Sequence, residues 1–158
     1  MAILIRKKTY DAWVQELDDR ENRIRGEIVQ RVATARAHGD LSENAEYSSA
    51  RAEQVDNEKM IAELKRKIAN DIEIIKDVDT SFVNIGAKVK LYDETYDEEN
   101  EYILVSYLEG DDVTENIITD TSPLGRVIIG KKVKDVVTIK SRTGEEMSFT
   151  ILDISKED

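Results

Sequence analysis

Asp40 and Glu43 stand three residues apart in the run His38-Gly39-Asp40-Leu41-Ser42-Glu43-Asn44-Ala45-Glu46-Tyr47. Carboxylates are hard oxygen donors, and two on one turn can approach a divalent cation from the same side. Mg²⁺ is commonly held by one or two carboxylates together with waters and substrate phosphates, not by a complete protein cage. Such a pair is therefore enough only where another site supplies the remaining ligands. In a nucleotidyl-transfer centre it could help hold the second ion of a two-metal phosphodiester cleavage and position the attacking water. A structural reading of the same residues stands beside this one. One acid or Ser42 would cap the helix that follows, and the others would favour its positive end, a stabilisation of about 0.5–2 kcal/mol for a good cap. Asp40 and Glu43 have the spacing of a capping box, although that motif normally begins with Ser or Thr. His38 is the sole histidine, which excludes a zinc site built on several imidazoles and leaves it a turn contact or a base-stacking neighbour.

The run lies between two long helical patterns. The first extends from about Thr9 to Ala37 without proline, and its Val14, Leu17, Ile24, Ile28 and Ala35 fall on a seam spaced by three and four, with Val32 beside it. Glu21 and Arg31 interrupt the seam, and Gly26 costs about 1 kcal/mol relative to alanine. The second pattern runs from about Ser42 to Ile75, with Ile61, Leu64, Ile68 and Ile75 on its seam and Gln54 and Asn57 in place of apolar residues toward the turn. At roughly 1.5 Å per residue the first helix would be about 40 Å long, and pairs such as Glu63 with Lys67 would support its partner's exposed face. Folded back at Gly39, the two helices would carry Asp40 and Glu43 at their far end, the position least useful for building a core.

A protruding helical pair cannot bury both its faces, so a second unit is expected: residues 1–78 as the helical domain and 79–158 as a globular one. After Asp77-Val78-Asp79-Thr80 the periodicity becomes alternating. Residues 87–92, 101–107, 116–119, 132–140 and 147–154 read as strands, with a hairpin turn at Arg142-Thr143-Gly144-Glu145. Ser122-Pro123-Leu124-Gly125-Arg126 offers a proline at the start of a brief helix. One short helix on a small, mostly antiparallel sheet makes the whole chain α+β.

The formal charge of −11 is unevenly shared: residues 1–78 hold 14 Lys+Arg against 16 Asp+Glu, and residues 79–158 hold 9 against 18. Between Leu91 and Thr121 there are eleven acidic residues and no Lys or Arg, which argues against a phosphate-tracking surface there. That stretch reads either as a solvated face or as a surface for a basic protein partner. There is no cysteine, hence neither a disulfide framework nor a thiolate metal site, and a reducing, cytoplasmic setting is expected. The apolar part of the N-terminus is too short for a signal peptide, and no run approaches the roughly 20 apolar residues of a membrane span. A soluble protein with no membrane partner is the expectation.

The segment Ala35-Arg36-Ala37-His38-Gly39-Asp40-Leu41-Ser42-Glu43-Asn44-Ala45-Glu46-Tyr47 resembles the signature of the bacterial Gre transcript cleavage factors, and its Leu-Ser-Glu-Asn-Ala-Glu-Tyr run is closer to the GreA branch than to GreB. A second match lies at Ser122-Pro123-Leu124-Gly125-Arg126, followed by Ile129-Gly130-Lys131 and Asp135-Val136-Val137-Thr138-Ile139-Lys140. With Gly86 and the final strand, the resemblance covers essentially the whole chain. It implies an N-terminal antiparallel coiled coil and a C-terminal domain of FKBP-like fold.

The resemblance also implies a function. The globular domain would dock at the rim of the RNA polymerase secondary channel, with Ser122 and Pro123 in the contacting loop, while the coiled coil enters. Asp40 and Glu43 would then help the polymerase retain Mg²⁺ and activate water, so that backtracked RNA is cut near its 3′ end. Arg36, His38, Leu41, Ser42, Asn44, Tyr47 and Arg51 would support the tip and contact RNA. Arg36 and Arg51 are equally open to ordinary salt-bridging roles. No tightly bound cofactor, no enzymatic activity of its own and a monomeric state are the corresponding expectations. Two alternatives are a Gre-like inhibitor that occupies the channel without promoting cleavage, whose relatives alter the tip that is intact here, and an FKBP-like isomerase or chaperone module. Two departures from the family pattern fall in helix one: Gly26 replaces a proline, and a glycine is missing around Asp11-Ala12-Trp13.

Overall fold

The first helical pattern folds as one continuous rod with a fault in it. Helix α1 (Lys7–Asp19) passes into a π-helical turn (Arg20–Ile24) and then into α2 (Arg25–Arg36). The computed structural model describes residues 1–40, 44–110 and 116–157. A π-turn accommodates one extra residue, which rotates the preceding helix by about 100° relative to an unbroken one. The seam therefore reaches Trp13 and not the expected Val14: Trp13 is 8% exposed and Val14 43%. Across the fault lies Asn57 of helix α3 (Ala45–Ile68), only 3% exposed. Its Nδ2 donates to the Arg20 carbonyl at 3.2 Å, and Arg20 Nη1 donates to its Oδ1 at 3.1 Å. A polar residue at this seam position is thus fully used.

Helix α3 packs on α2 through Ile28, Val32 and Ala50, with Ile24 and Tyr47 beside them. Ile61 and Leu64 are buried as the spacing predicts, and Ala35 and Ala50 keep the seam closed toward the turn with small side chains. Arg25–Glu58 and Arg31–Glu53 pairs cross between the helices, while Glu16–Arg20 and Asp19–Arg23 run along the first. Exposed pairs of this kind contribute only about 0.2–1 kcal/mol each. Lys67, expected opposite Glu63, lies over the Trp13 ring at 5.3 Å from its centroid.

Helix α3 stops at Ile68, short of the expected Ile75. Asn70 Nδ2 donates to the Arg66 and Lys67 carbonyls, satisfying the helix end. The β-branched alternation Ile72-Glu73-Ile74 then forms strand β2 (Ile72–Ile74), paired in parallel with β1 (Ile3–Ile5). This pair joins the chain's start to the sheet-bearing half. The compact units are consequently residues 8–70, and residues 1–7 with 71–158, whereas the sequence divided the chain at 78/79.

The sheet-bearing unit contains β3 (Ala87–Asp93), β4 (Glu98–Val105), β5 (Ile117–Thr119), β6 (Val136–Lys140) and β7 (Glu146–Lys156) in the order β5-β4-β3-β7-β6. Central β3 alternates buried Ala87, Val89 and Leu91 with Lys88 and Lys90. Within this five-stranded sheet the pairings are antiparallel except β4–β5, which is parallel. The expected segment 101–107 begins earlier and ends at Val105, followed by a 3₁₀ turn (Tyr107–Glu109), and the strand expected from 132 begins at Val136. Helix α4 (Pro123–Ile128) lays Ile128 into the core with Phe149, Ile151 and Val137, giving the α+β class read from the sequence. Arg6 is buried within the same unit. Its Nε and backbone N–H both donate to Glu109, at 2.9 and 3.2 Å, and its Nη1 donates to Glu157 at 2.8 Å. No helix among the described residues is long and apolar enough to cross a membrane.

Two glycines give opposite expected outcomes. A methyl at Gly26 meets nothing within 4 Å, so Gly26→Ala should stabilise α2 by about 1 kcal/mol. A Cβ on Gly125 would stand 1.9 Å from the Thr119 carbonyl oxygen, so Gly125→Ala should cost about 1–3 kcal/mol or more. Denaturant unfolding of the two variants checks both signs.

Candidate functional site

The turn between α2 and α3 is built by hydrogen bonds that end one helix and begin the next. His38 N–H donates to the Ala35 carbonyl and Gly39 N–H to that of Arg36, at 3.2 and 3.3 Å. Gly39 then adopts φ of +104°, a backbone region that side chains with a Cβ rarely visit. On the far side, Asn44 caps α3. Its Oδ1 accepts from Tyr47 N–H at 3.0 Å, and its Nδ2 donates to the Ala35 carbonyl at 2.6 Å. One amide thus satisfies an orphan donor of α3 and an end carbonyl of α2. The sequence left the choice of cap open among Asp40, Ser42 and Glu43; the residue that caps is Asn44.

Two contacts brace the same junction. The Arg36 guanidinium lies 5.7 Å from the Tyr47 ring centroid, within cation–π range, and Tyr47 is half-buried against the α2–α3 core. His38 Nδ1 lies 3.3 Å from Glu46 Oε2. Arg36, His38, Asn44 and Tyr47 are therefore brought together. Arg51, one turn farther along α3, donates to Gln54. Asp40 is exposed at the start of the turn, immediately after Gly39. Leu41, Ser42 and Glu43 lie outside the described residues. A carboxylate at this exposed place has the donor chemistry that Mg²⁺ prefers. Among the described residues, no group of three or more His, Asp and Glu side chains is gathered to hold a metal.

Ser122 and Pro123 belong to the other unit. Ser122 Oγ donates to the Thr119 carbonyl at 2.7 Å and accepts from Gly125 N–H at 3.1 Å, so it caps α4 and closes the loop from β5. Pro123 occupies the first helical position, exposed, where its missing N–H costs nothing. The close approach of Gly125 to Thr119 makes this loop tight. Of these contacts, sequence reasoning missed both bonds of Asn44: the cap was sought among Asp40, Ser42 and Glu43, and the link to Ala35 nine residues back depends on the chain reversing first.

Removing the amide should loosen the helix ends. Asn44→Ala loses both bonds, an expected cost near the turn of about 2 kcal/mol, while Asn44→Asp keeps the acceptor and should lose about half of that. Amide hydrogen exchange at Tyr47 and Ser48 reports it; unchanged protection in Asn44→Ala would contradict the double cap.

Comparison with known proteins follows the two halves of the chain. Residues 3–71 match the family model described as the N-terminal domain of transcription elongation factors, and residues 78–156 match the C-terminal domain of GreA/GreB. A Transcription elongation factor GreA of Thermoanaerobacter pseudethanolicus is 41% identical over 143 residues, 90% of either chain. That of Prosthecochloris aestuarii is 41% identical over 155 residues, 96% of either chain. Among solved structures, GreA factor homolog 1 of Thermus thermophilus aligns over 98% of this chain and 99% of its own at 22% identity, with a TM-score of 0.43. With both halves matched in order and relatives at this identity over nearly their full lengths, the chain belongs to the GreA/GreB family of transcription elongation factors.

Proposed function

We propose that this factor enters the secondary channel of RNA polymerase with its α2–α3 turn and there stimulates Mg²⁺-dependent cleavage of backtracked nascent RNA. Gre factors are transcription elongation factors that stimulate the cleavage activity of the polymerase. The observation that supports the finer reading is the position of Asp40. Asp40 is exposed and follows the left-handed Gly39, between the end of α2 and the start of α3.

The chain's own residues then divide the work. Asp40 and Glu43 supply carboxylate oxygens to an ion whose other ligands come from the polymerase and from RNA phosphate. Bound there, Mg²⁺ supplies charge neutralisation at the phosphodiester and a more acidic water. An acid that also accepts a hydrogen bond from the attacking water fixes its direction. Asn44 and the Arg36–Tyr47 contact brace the helix ends on either side of the acids, and the resemblance assigns Leu41 and Ser42 to the support of the tip. Arg36, His38 and Arg51 carry cationic or planar groups suited to the RNA 3′ end. Ser122 and Pro123, on a tight loop of the other unit, contact the channel rim. The factor holds no cofactor of its own, acts as a monomer and is not itself an enzyme, since the reacting phosphate and the remaining metal ligands belong to the polymerase complex.

In halted, backtracked elongation complexes, Asp40→Ala and Glu43→Ala should each lower the stimulated cleavage rate by about 10²-fold or more while polymerase affinity stays within about threefold. Cleavage and competition binding measured on the same preparations check this. Full cleavage by both variants would reject the reading.

A further inference from the structure

The sheet-bearing unit is acidic overall, yet residues 126–140 contain five Lys and Arg and a single Asp. This local reversal of charge coincides with exposed apolar surface. Ile129, Val133 and Val136 are 40%, 42% and 59% exposed, three aliphatic side chains within eight residues. Single exposed aliphatics need no explanation, but a group of them beside a cleft does. The cleft has a volume of about 370 Å³, walled by Arg126, Val127 and Ile129 at the end of α4, Lys131 after it, and Val136, Val137 and Thr138 at the start of edge strand β6.

The turn joining the two walls carries Lys132, Val133 and Lys134. It is held firmly: Lys134 N–H donates to the Ile151 carbonyl at 2.7 Å, Ile151 N–H donates to the Asp135 carbonyl at 2.9 Å, and Lys132 N–H donates to Asp135 Oδ2 at 2.8 Å. Lys134 itself adopts φ of +80°, a conformation seldom held by a residue with a side chain unless its surroundings impose it. Lys88, Lys90 and Lys156 pair with Glu101, Glu99 and Asp77, whereas Lys131, Lys132 and Lys134, like the more isolated Lys76 and Lys140, have no carboxylate partner within 4 Å among the described residues; what distinguishes the three is that they lie within four residues of one another. Clustered like charges repel one another, and a covering surface of opposite sign relieves that repulsion.

We infer that Ile129, Val133 and Val136, rimmed by Lys131, Lys132 and Lys134, form a docking surface for an acidic segment of RNA polymerase that presents an apolar side chain to the cleft. The inference rests on this factor being one that binds the polymerase. It adds a second anchoring patch at the opposite end of α4 from Ser122 and Pro123. A protein occupant is favoured over nucleic acid because the centre of the patch is aliphatic, while single-stranded nucleic acid is bound through aromatic stacking along a cationic groove. The rim charges would act mainly on encounter and on salt dependence, and the aliphatic centre on residence.

The test uses the full chain, fluorescently labelled at its C-terminus and titrated into purified bacterial core polymerase across a salt series, with binding read directly and cleavage read separately. The triple change Lys131→Glu, Lys132→Glu, Lys134→Glu should raise the half-saturating concentration about tenfold at low salt and flatten its salt dependence. Val136→Ser should raise it about threefold with the salt slope retained. At saturating factor both variants should cleave at the unaltered rate. Both sites are exposed, and thermal unfolding confirms that the variants are folded. Unchanged half-saturation in both variants overturns the inference. So does loss of oligoribonucleotide binding by the lysine variant with polymerase affinity intact, which would make the patch a nucleic-acid surface. Binding without any stimulated cleavage by the unaltered protein would count against the cleavage role and leave the docking result to be judged on binding alone.

Discussion

The geometry of the turn depends on one side-chain amide. Asn44 accepts from the first turn of α3 and donates to the last turn of α2, so that the two helices terminate on the same group. Helix ends leave unsatisfied N–H and carbonyl groups that must find partners. Meeting two of these needs with one residue shortens the connection and fixes the direction in which the chain leaves and returns. The cation–π contact of Arg36 with Tyr47 and the burial of Tyr47 against the α2–α3 core extend this bracing into the helices. A carboxylate that must meet an ion belonging to another protein gains from such preparation, because little ordering is left to be done on arrival.

Farther along the helices, fidelity of packing rests on a different polar device. The π-turn at Arg20–Ile24 presents the Arg20 carbonyl to Asn57, and the arginine side chain completes the pair from the other direction. Buried amides in helix seams are known to specify register at some cost in stability. Here both hydrogen-bonding ends of the amide are engaged, so burial of Asn57 carries little penalty. In the sheet-bearing unit, Arg6 has a comparable role. Its guanidinium and backbone N–H tie the end of β1 to Glu109 and Glu157, which come from distant parts of the chain.

Much of this was legible from residue order because local rules governed it. Gly39 marked the reversal, the alternating segments marked β3 and β7, and Ser122-Pro123 marked the start of α4, each through a preference that neighbouring residues decide. The features that escaped are those a distant partner decides. Nothing around Arg20 signals a π-turn; it becomes intelligible once Asn57 is seen to bond the Arg20 carbonyl alongside Arg25 N–H. Ile72-Glu73-Ile74 continues a helical spacing as well as it begins a strand, and pairing with Ile3–Ile5 settles the matter. The parallel pairing of β5 with β4 is not signalled by its own three residues. At the candidate site, the acids are proposed from residue type, while the group that caps the following helix emerges only from geometry.

The central claim is that Asp40 and Glu43 act as ligands to a shared ion, and the most direct measurement is the Mg²⁺ dependence of RNA cleavage in halted complexes saturated with factor. The unaltered protein should lower the Mg²⁺ concentration needed for half-maximal cleavage, and the near-isosteric Asp40→Asn, Glu43→Gln double variant, bound to the same extent, should leave that concentration where the polymerase alone has it. A double variant that lowers the requirement as far as the unaltered protein does would contradict a ligand role for the two carboxylates.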